Sequence, residues 1–456
     1  MTATSTPADL AGAVRILRPL LAERLLLTQD PGFPAARQVW NAAVAHQPAA
    51  IARCATVAEI SAAVRTARDA GTPLSVRAGG HDWAGRALRD GGLVIDLTGM
   101  RDVTVDAPAR TATVQGGAIT ADLLAATTPY GLATATGVVR AVGLAGLTTV
   151  GGYGPLIGRY GLALDNLLGA TVVLADGTTV VAGPDDDTEL WWALRGGGGN
   201  FGVVTELRYR LHEVPSILTG MLMFPFEQAA AVLSGHAELM ADAPDELSVM
   251  TGFLPGPEGR PLAFLCPFWC GDLAAGEQAI ARLRALGHPI VDQIGPMPYE
   301  AALSMFDRSM VDGNHYLLRT RWLPDVPAPA VDALVTAANE ISSPVSALIL
   351  NRFHGAAARV DPSATAFAQR SPHTVLEVIA AWPPGQPVEP HRAWADAVAT
   401  SLDELSLPGG YPNLLGPDDE DRSRDSYGAN LSRLLAAKRH YDPDNSFASA
   451  TPSLLG

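Results

Sequence analysis

The stretch R-A-G-G-H-D-W-A-G, residues 77–85, decides how the first half of the chain folds. It follows a short apolar segment, P-L-S-V at 73–76, which has the composition of a β-strand. Glycines directly after a strand allow successive backbone N–H groups to turn towards one point and form a nest that binds an anion. A glycine pair of this kind can also be a plain structural turn, so the surrounding sequence has to decide between the two interpretations.

The segments on either side predict alternating helix and strand around this loop. Residues 56–70 begin with a capping box of Thr56 and Glu59, carry apolar residues at helical spacing and stop at Gly71, which predicts a helix. L-V-I-D-L at 93–97 predicts a second strand. Further predicted elements are a hairpin at 102–117, a helix at 120–131, strands at 169–177 and 202–214, and a helix at 187–195. We expect a mixed sheet and a first lobe that closes near residue 212.

The pattern changes from about residue 215 to 408, where long strands of antiparallel type are separated by helices. The strands are predicted at 219–226, 248–255, 262–271, 345–353 and 374–382, with a helix at 274–287. This segment predicts an α+β second lobe. The remaining C-terminal residues have too little apolar periodicity to stand alone, so we expect them to pack back on the first lobe.

Length and composition agree with a two-lobed globular protein and exclude several classes of partner. A chain of 456 residues exceeds a single compact core, and 48% hydrophobic with 17% charged residues is unlike a disordered protein. The net charge is −15 and no basic tract occurs, so we expect neither nucleic acid nor anionic membrane as a partner.

Two apolar stretches resemble membrane or export signals, and we interpret neither in that way. The N-terminal residues 8–27 carry charges between their apolar positions and predict an amphipathic helix. The stretch 137–158 contains Arg140 and many glycines, which is unlike a bilayer span.

The three cysteines, Cys54, Cys266 and Cys270, are odd in number and give no disulfide framework. Cys266 and Cys270 lie without further cysteine or histidine neighbours in an apolar segment, so we expect core side chains rather than zinc ligands. We predict a cytoplasmic protein without a transmembrane segment or a metal.

A second glycine-rich stretch supports a ligand at the first loop. The sequence T-G-V-V-R-A-V-G-L-A-G-L-T-T-V-G-G-Y-G-P-L-I-G-R-Y-G-L-A-L-D-N at 136–166 is too glycine-rich for a core helix and too apolar for a linker. We expect its backbone to lie against a large ligand. The glycines at which a side chain is expected to collide with a flat ring system or a diphosphate are Gly143, Gly146, Gly151, Gly152 and Gly154.

Several motifs in order carry a family resemblance. R-A-G-G-H, the second glycine stretch, R-Y-G-L-A-L-D-N, L-A-D-G and W-A-L-R-G-G-G-G-N-F-G-V-V-T-E together resemble the FAD-binding domain of the berberine bridge enzyme-like oxidoreductases, a fold of the vanillyl-alcohol oxidase or PCMH type. The resemblance covers about residues 40–212, and Y-P-N at 411–413 with Y-D-P-D-N at 441–445 is similar to the family's C-terminal segment. It implies an α+β fold with a PCMH-type FAD-binding domain and an antiparallel-sheet substrate domain covered by helices.

The resemblance also implies how the chain is divided. The expected units are an N-terminal helical segment at 1–35, the FAD-binding domain at 36–212, the substrate-binding domain at 213–408 and a C-terminal segment at 409–456 that returns to the FAD domain.

In this family the histidine of the G-G-H loop is bonded to the flavin 8α-methyl group, and the matching residue is His81. Many members add a second bond from a cysteine in a G-x-C-P-x-V-G pattern, but the corresponding stretch at 137–143 has Val139 at that position. The resemblance therefore implies FAD bound covalently through one histidine, as in the singly linked members such as the 6-hydroxynicotine oxidases. G-G-G-G-N-F-G at 196–202 lacks the acidic ribose partner of a dinucleotide site, so no second cofactor is expected.

The resemblance assigns contacts to two groups of residues. Expected FAD contacts are Arg77, Ala78, Gly79, Gly80, His81, Asp82, Gly85, Gly137, Val142, Gly143, Gly146, Thr149, Gly151, Gly152, Gly154, Val203 and Asn413. Expected substrate contacts are Tyr153, Asn351 and Arg352.

Three residues are candidates for the group that takes the substrate's proton. Tyr411 is the first choice because the family's Y-x-N motif places a tyrosine at the substrate face, although a tyrosine pKa of about 10 requires a neighbouring charge before the group can act as a base. Glu377 lies on an apolar strand that should raise its pKa, and His354 ends the preceding strand. Each also has a structural interpretation: a tyrosine at the lobe junction, a paired core glutamate and a hydrogen-bonded strand-end histidine.

The leading functional hypothesis is an FAD-dependent oxidase that removes a hydride from a small alcohol, sugar or cyclic amine and passes the electrons to O2. The family associates a small residue at the Val142 position with oxidases. The alternatives are a flavin dehydrogenase with another acceptor, and a flavin-retaining scaffold or cyclase without hydride transfer. The oligomeric state is left open.

Overall fold

The structure of the protein, a computed structural model, describes residues 10–308, 310–450 and 454. Its strands, β1 to β20, are Leu25–Leu27, Ala50–Arg53, Leu74–Arg77, Leu93–Asp96, Val103–Asp106, Thr111–Gln115, Leu132–Ala133, Leu167–Val173, Thr179–Ala182, Val203–Arg210, His212–Glu213, Ile217–Thr219, Leu222–Pro225, Leu247–Pro255, Pro261–Trp269, Val291–Asp292, Gly295–Met297, His315–Leu323, Ala347–Phe353 and His373–Trp382. Its α-helices, α1 to α14, are Leu10–Leu21, Phe33–Arg37, Val57–Asp69, Thr120–Thr127, Leu144–Val150, Ile157–Tyr160, Thr188–Leu194, Ala229–Ala241, Leu273–Arg284, Tyr299–Ser304, Ala328–Asn339, Glu389–Ser401, Glu420–Asp425 and Leu431–Tyr441.

The first half of the chain forms two larger sheets rather than the one mixed sheet that was expected. The smaller has the order β1-β2-β4-β3, in which β2, β4 and β3 run parallel and β1 is antiparallel. The larger has the order β5-β6-β10-β8-β9 and is antiparallel throughout. The chain divides in this way because the predicted hairpin pairs with β10 instead of extending the sheet that carries the first glycine loop.

Helix α3 forms as its sequence predicts. The Thr56 hydroxyl accepts a hydrogen bond from the Glu59 N–H, which satisfies one of the amides that a helix start leaves unpaired. Ile60 and Val64 are buried against the parallel sheet, and Gly71, just beyond the helix, has a φ of +61°. Strand β3 then leads directly into the loop that contains His81.

The second half of the chain forms a nine-stranded antiparallel sheet. Its main path is β16-β13-β15-β14-β19-β20-β18, with β12 paired to β15 and β17 paired to β12. Helices α8, α9, α11 and α12 pack on this sheet, and its largest apolar cluster lies between them and the strands. On β20, Leu376 and Val378 belong to that cluster, whereas Val375 packs with Tyr411 on the opposite face. The predicted α+β fold class is confirmed.

Helix α14 near the C-terminus packs against α7 and the short turn Gly198–Phe201 of the first half of the chain. Lys438 on this helix is the sole lysine of the 456 residues and is fully buried. Its Nζ donates to the carboxylate of Asp442 at 2.6 Å and to the carbonyl of Asn200 at 2.9 Å. The same carboxylate accepts the backbone N–H groups of Ser446 and Phe447, so one ion pair holds the turn at 442–447 in place.

A second buried ion pair joins the two lobes. The Arg370 guanidinium makes two 2.9 Å hydrogen bonds to the Asp165 carboxylate and a third to the Thr365 hydroxyl. Arg370 is almost fully buried. The paired geometry fixes both the distance and the angle between the segment before β8 and the segment before β20.

The glycine-rich stretch contains a short buried helix, contrary to the expectation that it is too rich in glycine for one. Helix α5 runs between Gly143 and Gly151, and Leu144 and Leu147 on it are buried. The helix forms because the glycines lie mostly at its two ends, where they do not interrupt its hydrogen bonds.

The cysteines behave as core side chains. Cys54, Cys266 and Cys270 are free and buried, and the last two belong to the same apolar cluster. Within the described ranges, no group of three or more His, Cys, Asp or Glu side chains could hold a metal ion. Across the same part of the chain, every helix is too short or too polar to cross a membrane.

Replacing Lys438 by Met is expected to destabilise the protein by about 3 to 5 kcal/mol, because it leaves the buried Asp442 carboxylate without its cation. Arg433→Met on the same helix, which removes the exposed pair of Arg433 with Glu189, is the matched control and should cost less than about 1 kcal/mol. Urea unfolding followed by tryptophan fluorescence measures both. Equal losses for the two variants would contradict the structural role given to Lys438.

Candidate active site

A cavity of about 330 Å³ lies where the two lobes and the C-terminal segment meet. Its walls come from the loop at 77–83, the glycine-rich stretch around α5, the face of β20 opposite the helices, and the turn at Tyr411. The predicted site residues that line it are Ala78, Gly79, Gly80, His81, Asp82, Gly137, Val142, Gly143, Gly146, Thr149, Tyr153, Glu377, Tyr411 and Asn413.

The other predicted contacts lie outside this lining. They are Arg77, Gly85, Gly151, Gly152, Gly154, Val203, Asn351, Arg352 and His354. The Arg77 side chain turns away to donate to the Ala36 carbonyl, and Arg352 donates to the Pro324 carbonyl. His354 lies within hydrogen-bond distance of the Leu247 carbonyl, at 3.0 Å from its Nε2, and burial lowers its pKa. His354 therefore has the position of a strand-end histidine bonded to the backbone.

The two glycine loops touch backbone to backbone at Gly79 and Gly143. A Cβ on Gly79 would lie 2.5 Å from the Gly143 Cα and N, and a Cβ on Gly143 would lie 2.5 Å from the Gly79 N. Because neither backbone can be displaced cheaply, any side chain at either position would force the loops apart. These two glycines are required by the protein itself before any ligand is considered.

Packing within the protein also accounts for most of the glycines that were assigned to ligand contact. A Cβ would meet the Tyr411 ring at 2.9 Å from Gly151, the Ala163 Cβ at 2.3 Å from Gly152, and the Thr136 carbonyl at 1.7 Å from Gly154. Gly146 differs, because it lines the cavity and a Cβ there would meet nothing within 4 Å. The open space beside Gly146 is therefore what a bound ring or diphosphate could use.

His81 stands in the cavity wall with a free ring nitrogen. Its Nε2 is buried and has no hydrogen-bond partner among the described residues. Burial lowers the pKa of the ring to about 4, so the imidazole is neutral near pH 7 and a nitrogen lone pair is available. An orphaned, neutral imidazole facing a cavity fits covalent attachment of a flavin.

Glu377 faces the cavity from the middle of β20. Burial raises the pKa of its carboxyl from 4.5 to about 7, against the opposing effect of a hydrogen bond from Asn351. That bond, from Asn351 Nδ2 to Glu377 Oε1, is 3.0 Å long. Asn351 therefore acts behind Glu377 rather than in the cavity lining, and the raised pKa expected from the sequence is present.

Tyr411 is buried, and its hydroxyl oxygen accepts two hydrogen bonds. The Gly152 N–H donates to it at 2.9 Å and Asn413 Nδ2 at 3.0 Å. Burial raises the pKa of Tyr411 to about 12, and the nearby Glu377 acts in the same direction. The charge that a tyrosine base requires is therefore absent among the groups that shift this pKa, and the phenol keeps its proton at neutral pH.

The ring of Tyr153 packs against the ring of Tyr411, with 4.6 Å between the centroids. The Tyr153 hydroxyl oxygen lies 3.0 Å from His373 Nε2. His373 Nδ1 lies 2.7 Å from the Ser371 carbonyl, which can only accept, so Nδ1 carries the proton and Nε2 accepts from Tyr153. Burial lowers the pKa of His373 to about 3, which keeps the ring neutral. Tyr153 is thus held by a residue that the sequence did not suggest.

Other functional residues were also missed. Trp40 stacks on His81, and Met310 and Leu318 line the cavity from the second lobe. Trp83 lies inside the quoted glycine loop and donates from Nε1 to the Leu414 carbonyl. Trp83 could have been found from its place beside His81, whereas no local pattern marks the other three.

Two known protein families match parts of this chain. The sequence model of the FAD binding domain family matches residues 48–183, and the model described as berberine and berberine like matches residues 410–452. The fold and the cavity at the lobe junction together define an FAD-linked oxidoreductase.

Relatives of known name extend the match over nearly the whole chain. The (R)-6-hydroxynicotine oxidase of Paenarthrobacter nicotinovorans is 33% identical over 442 residues, covering 93% of this chain and 94% of that protein. The crystal structure of 6-hydroxy-D-nicotine oxidase from Arthrobacter nicotinovorans superposes with a TM-score of 0.85 at 30% identity, covering 94% and 97% of the two chains. The xylooligosaccharide oxidase of Thermothelomyces thermophilus is 28% identical, covering 90% and 87%. The chain belongs to the berberine bridge enzyme-like family of FAD-linked oxidoreductases.

The raised pKa of Glu377 predicts a pH dependence of stability. Between pH 4.5 and about 7 the folded protein holds a proton that the unfolded chain has lost, so Glu377 makes stability fall as pH rises through this window. The glutamine in Glu377→Gln cannot titrate. The urea midpoint of this variant should therefore rise relative to that of wild type between pH 4.5 and about 7, and the difference between the two midpoints should stay constant above that pH. Urea unfolding of both proteins at a series of pH values measures the difference. Parallel curves over the whole range would contradict the raised pKa.

Proposed function

We propose that the protein is an FAD-dependent oxidase that removes a hydride from a small alcohol, sugar or cyclic amine and reduces O2 to H2O2. The observation that carries the proposal is the free, neutral imidazole of His81 in a cavity that Glu377 and Tyr411 also line. A site for attaching a flavin and a group able to take a proton thus share one cavity.

The residues that would hold FAD are those of the two touching glycine loops. Ala78 to Asp82 and the segment around Gly143 and Gly146 offer backbone N–H groups, and Phe447 to Ala450 close the other end of the cavity. When bound, FAD supplies the hydride acceptor and the route for electrons to O2. His81 is proposed as its single covalent link, because Val139, at the position of the family's second linking residue, lines the cavity without a thiol.

The chain's own part in the reaction is to orient the substrate and to take its proton. Glu377 is the better base, because a pKa of about 7 leaves a large share ionised near neutral pH and still makes the carboxylate basic. Tyr411, which accepts two hydrogen bonds and keeps its proton, is suited to donate a hydrogen bond to a substrate oxygen or nitrogen. We therefore assign the base to Glu377 and substrate orientation to Tyr411, and we assign no role in proton transfer to His354.

The walls around Glu377 are largely apolar. Val138, Val139, Met310 and Leu318 line the same cavity, so the hydrogen-bonding groups offered to a substrate come mainly from Tyr153, Glu377, Tyr411 and Asn413. A small molecule with one or two polar groups next to the oxidised carbon fits this lining. The names of relatives, which include an amine oxidase and a sugar oxidase, support the range of substrates proposed.

O2 is proposed as the electron acceptor because Val142 is the small residue that the family associates with oxidases, and it lines the cavity. A dehydrogenase with another acceptor would differ in one measurement: its reduced flavin would reoxidise slowly in air. A cytoplasmic location is proposed from the three free buried thiols, which suit a reducing compartment.

The flavin should remain attached to the peptide that contains His81 after acid denaturation, because that imidazole is the free nucleophile of the cavity. Mass spectrometry of a tryptic digest measures the attachment. His81→Ala should fold and bind FAD without a covalent bond, since the glycine loops and not His81 form the anion nest. Unmodified peptide across residues 78–86 in a flavin-replete sample would overturn the covalent assignment.

Glu377→Gln should slow anaerobic reduction of the flavin by substrate on the order of a hundredfold or more, because the group that takes the proton is lost. Wild-type reduction should also rise with pH around a midpoint near 7, and the variant should lose that dependence. Stopped-flow absorbance measures both. Tyr411→Phe is the matched comparison and should slow reduction without removing the midpoint. A Glu377→Gln variant that keeps the wild-type rate and pH profile would return the base to Tyr411.

A further inference from the structure

Three aromatic rings form a continuous stack that ends on His81. The Trp40 ring lies 4.1 Å from the His81 ring with 14° between the planes, and the Tyr316 ring lies 3.8 Å from Trp40 on its other side with 22° between the planes. Trp40 lies between α2 and β2, His81 lies in the first glycine loop, and Tyr316 lies on strand β18. The stack therefore joins the attachment loop to the sheet of the second lobe.

Trp40 is itself held from both sides. Its N–H donates to the Gly80 carbonyl at 3.2 Å, and its carbonyl accepts from the Gly313 N–H at 3.3 Å. The next residue, Asn41, donates from Nδ2 to the carbonyls of Trp83 and Tyr316 and accepts the Tyr316 N–H at its Oδ1. The backbone of Trp40 is thus fixed, and its indole is stacked on the rings of His81 and Tyr316.

The stack with Trp40 orients the His81 ring, together with a hydrogen bond between that ring and the backbone of His81 itself. Its Nε2 has no hydrogen-bond partner within the described residues, so no polar contact at that atom sets the plane of the ring. A nucleophilic nitrogen reacts well only when its lone pair points at the acceptor carbon. A turn of the imidazole about its Cβ–Cγ bond would tilt it out of the stack with Trp40 and lose that contact.

We propose that Trp40 is the positioning residue for covalent attachment of FAD to His81, with Tyr316 as the support behind it. The inference rests on the proposed function, because it requires that His81 carries the flavin. In the net attachment reaction, the imidazole N–H bond and one C–H bond of the flavin 8α-methyl group break, and an N–C bond forms. The two protons and two electrons released are taken up by O2, which becomes H2O2.

The decisive variants are Trp40→Leu, which removes the stack, and Trp40→Phe, which keeps an aromatic face. The measurement is the share of flavin that stays with the protein after acid precipitation, as purified and during incubation with added FAD. Trp40→Leu should attach FAD about two- to tenfold more slowly than wild type, the range expected from losing one aromatic pair. Trp40→Phe should restore most of the rate.

Two controls separate positioning from a general loss of stability. Trp394→Leu removes a buried tryptophan of α12 that lies outside the three-ring stack and donates from Nε1 to the Ala337 carbonyl, and it should leave attachment unchanged. Trp40 also lines the cavity, so noncovalent FAD affinity is measured with Trp40→Leu in the His81→Ala background and attachment rates are compared at saturating FAD. Wild-type attachment in Trp40→Leu would overturn the inference, and so would slow attachment that Trp40→Phe does not relieve.

If Trp40→Leu does not fold, the pair Tyr316→Leu and Tyr316→Phe decides. Both remove the hydrogen bond from the Tyr316 hydroxyl to the Val311 carbonyl, but only the leucine removes the supporting ring. Slower attachment in Tyr316→Leu than in Tyr316→Phe supports the inference, and equal rates overturn it. A wild-type protein that releases all its flavin in acid would instead refute the covalent part of the proposed function, so the two failures are distinguishable.

Discussion

Gly79 and Gly143 meet backbone against backbone, and this contact determines where every other group of the site lies. With 2.5 Å between one backbone and the Cβ that the other would carry, the approach is open only to two glycines. This contact holds the loop that carries His81 against the segment that leads into α5. The cavity lies beside these two segments. Since both loops lie near strand or helix ends, the position of the site is set by the sheets of the first lobe.

Burial in the cavity shifts the pKa values of its basic and acidic groups in opposite directions for a single reason. Burial disfavours the charged form, so it lowers the pKa of His81 to about 4 and raises the pKa of Glu377 to about 7 and of Tyr411 to about 12. A neutral imidazole is nucleophilic, a carboxyl near pH 7 can take a proton, and a protonated phenol can donate a hydrogen bond. Burial is the largest cause for all three groups, ahead of the Asp82 charge beside His81 and the Glu377 charge beside Tyr411, so the three proposed roles follow mainly from burial in one cavity.

The sequence predicted local structure well where a physical signal was local. The Thr56 cap, the strand before the glycine loop and the antiparallel second half could be predicted because neighbouring residues decide them. The glycines show the limit: their number indicated a close approach, but not whether the approaching group was ligand or protein. For Gly152 and Gly154 it is Ala163 and the Thr136 carbonyl.

Contacts between distant segments had no such signal. Trp40, Tyr316 and His373 act through rings and hydrogen bonds to residues far away in sequence, so no spacing pattern marks them. Lys438 differs from these residues because the sequence itself shows that it is the sole lysine of the chain. Glu377 also depends on contacts between distant segments. Its strand, β20, lies between β18 and β19, where Glu377 pairs with Thr320 on β18 and with Ile349 on β19. A slip of one residue in either pairing would turn the carboxyl towards the helices and put Leu376 in the cavity. The chemistry of the cavity is therefore specified by the hydrophobic packing on the opposite face of the sheet.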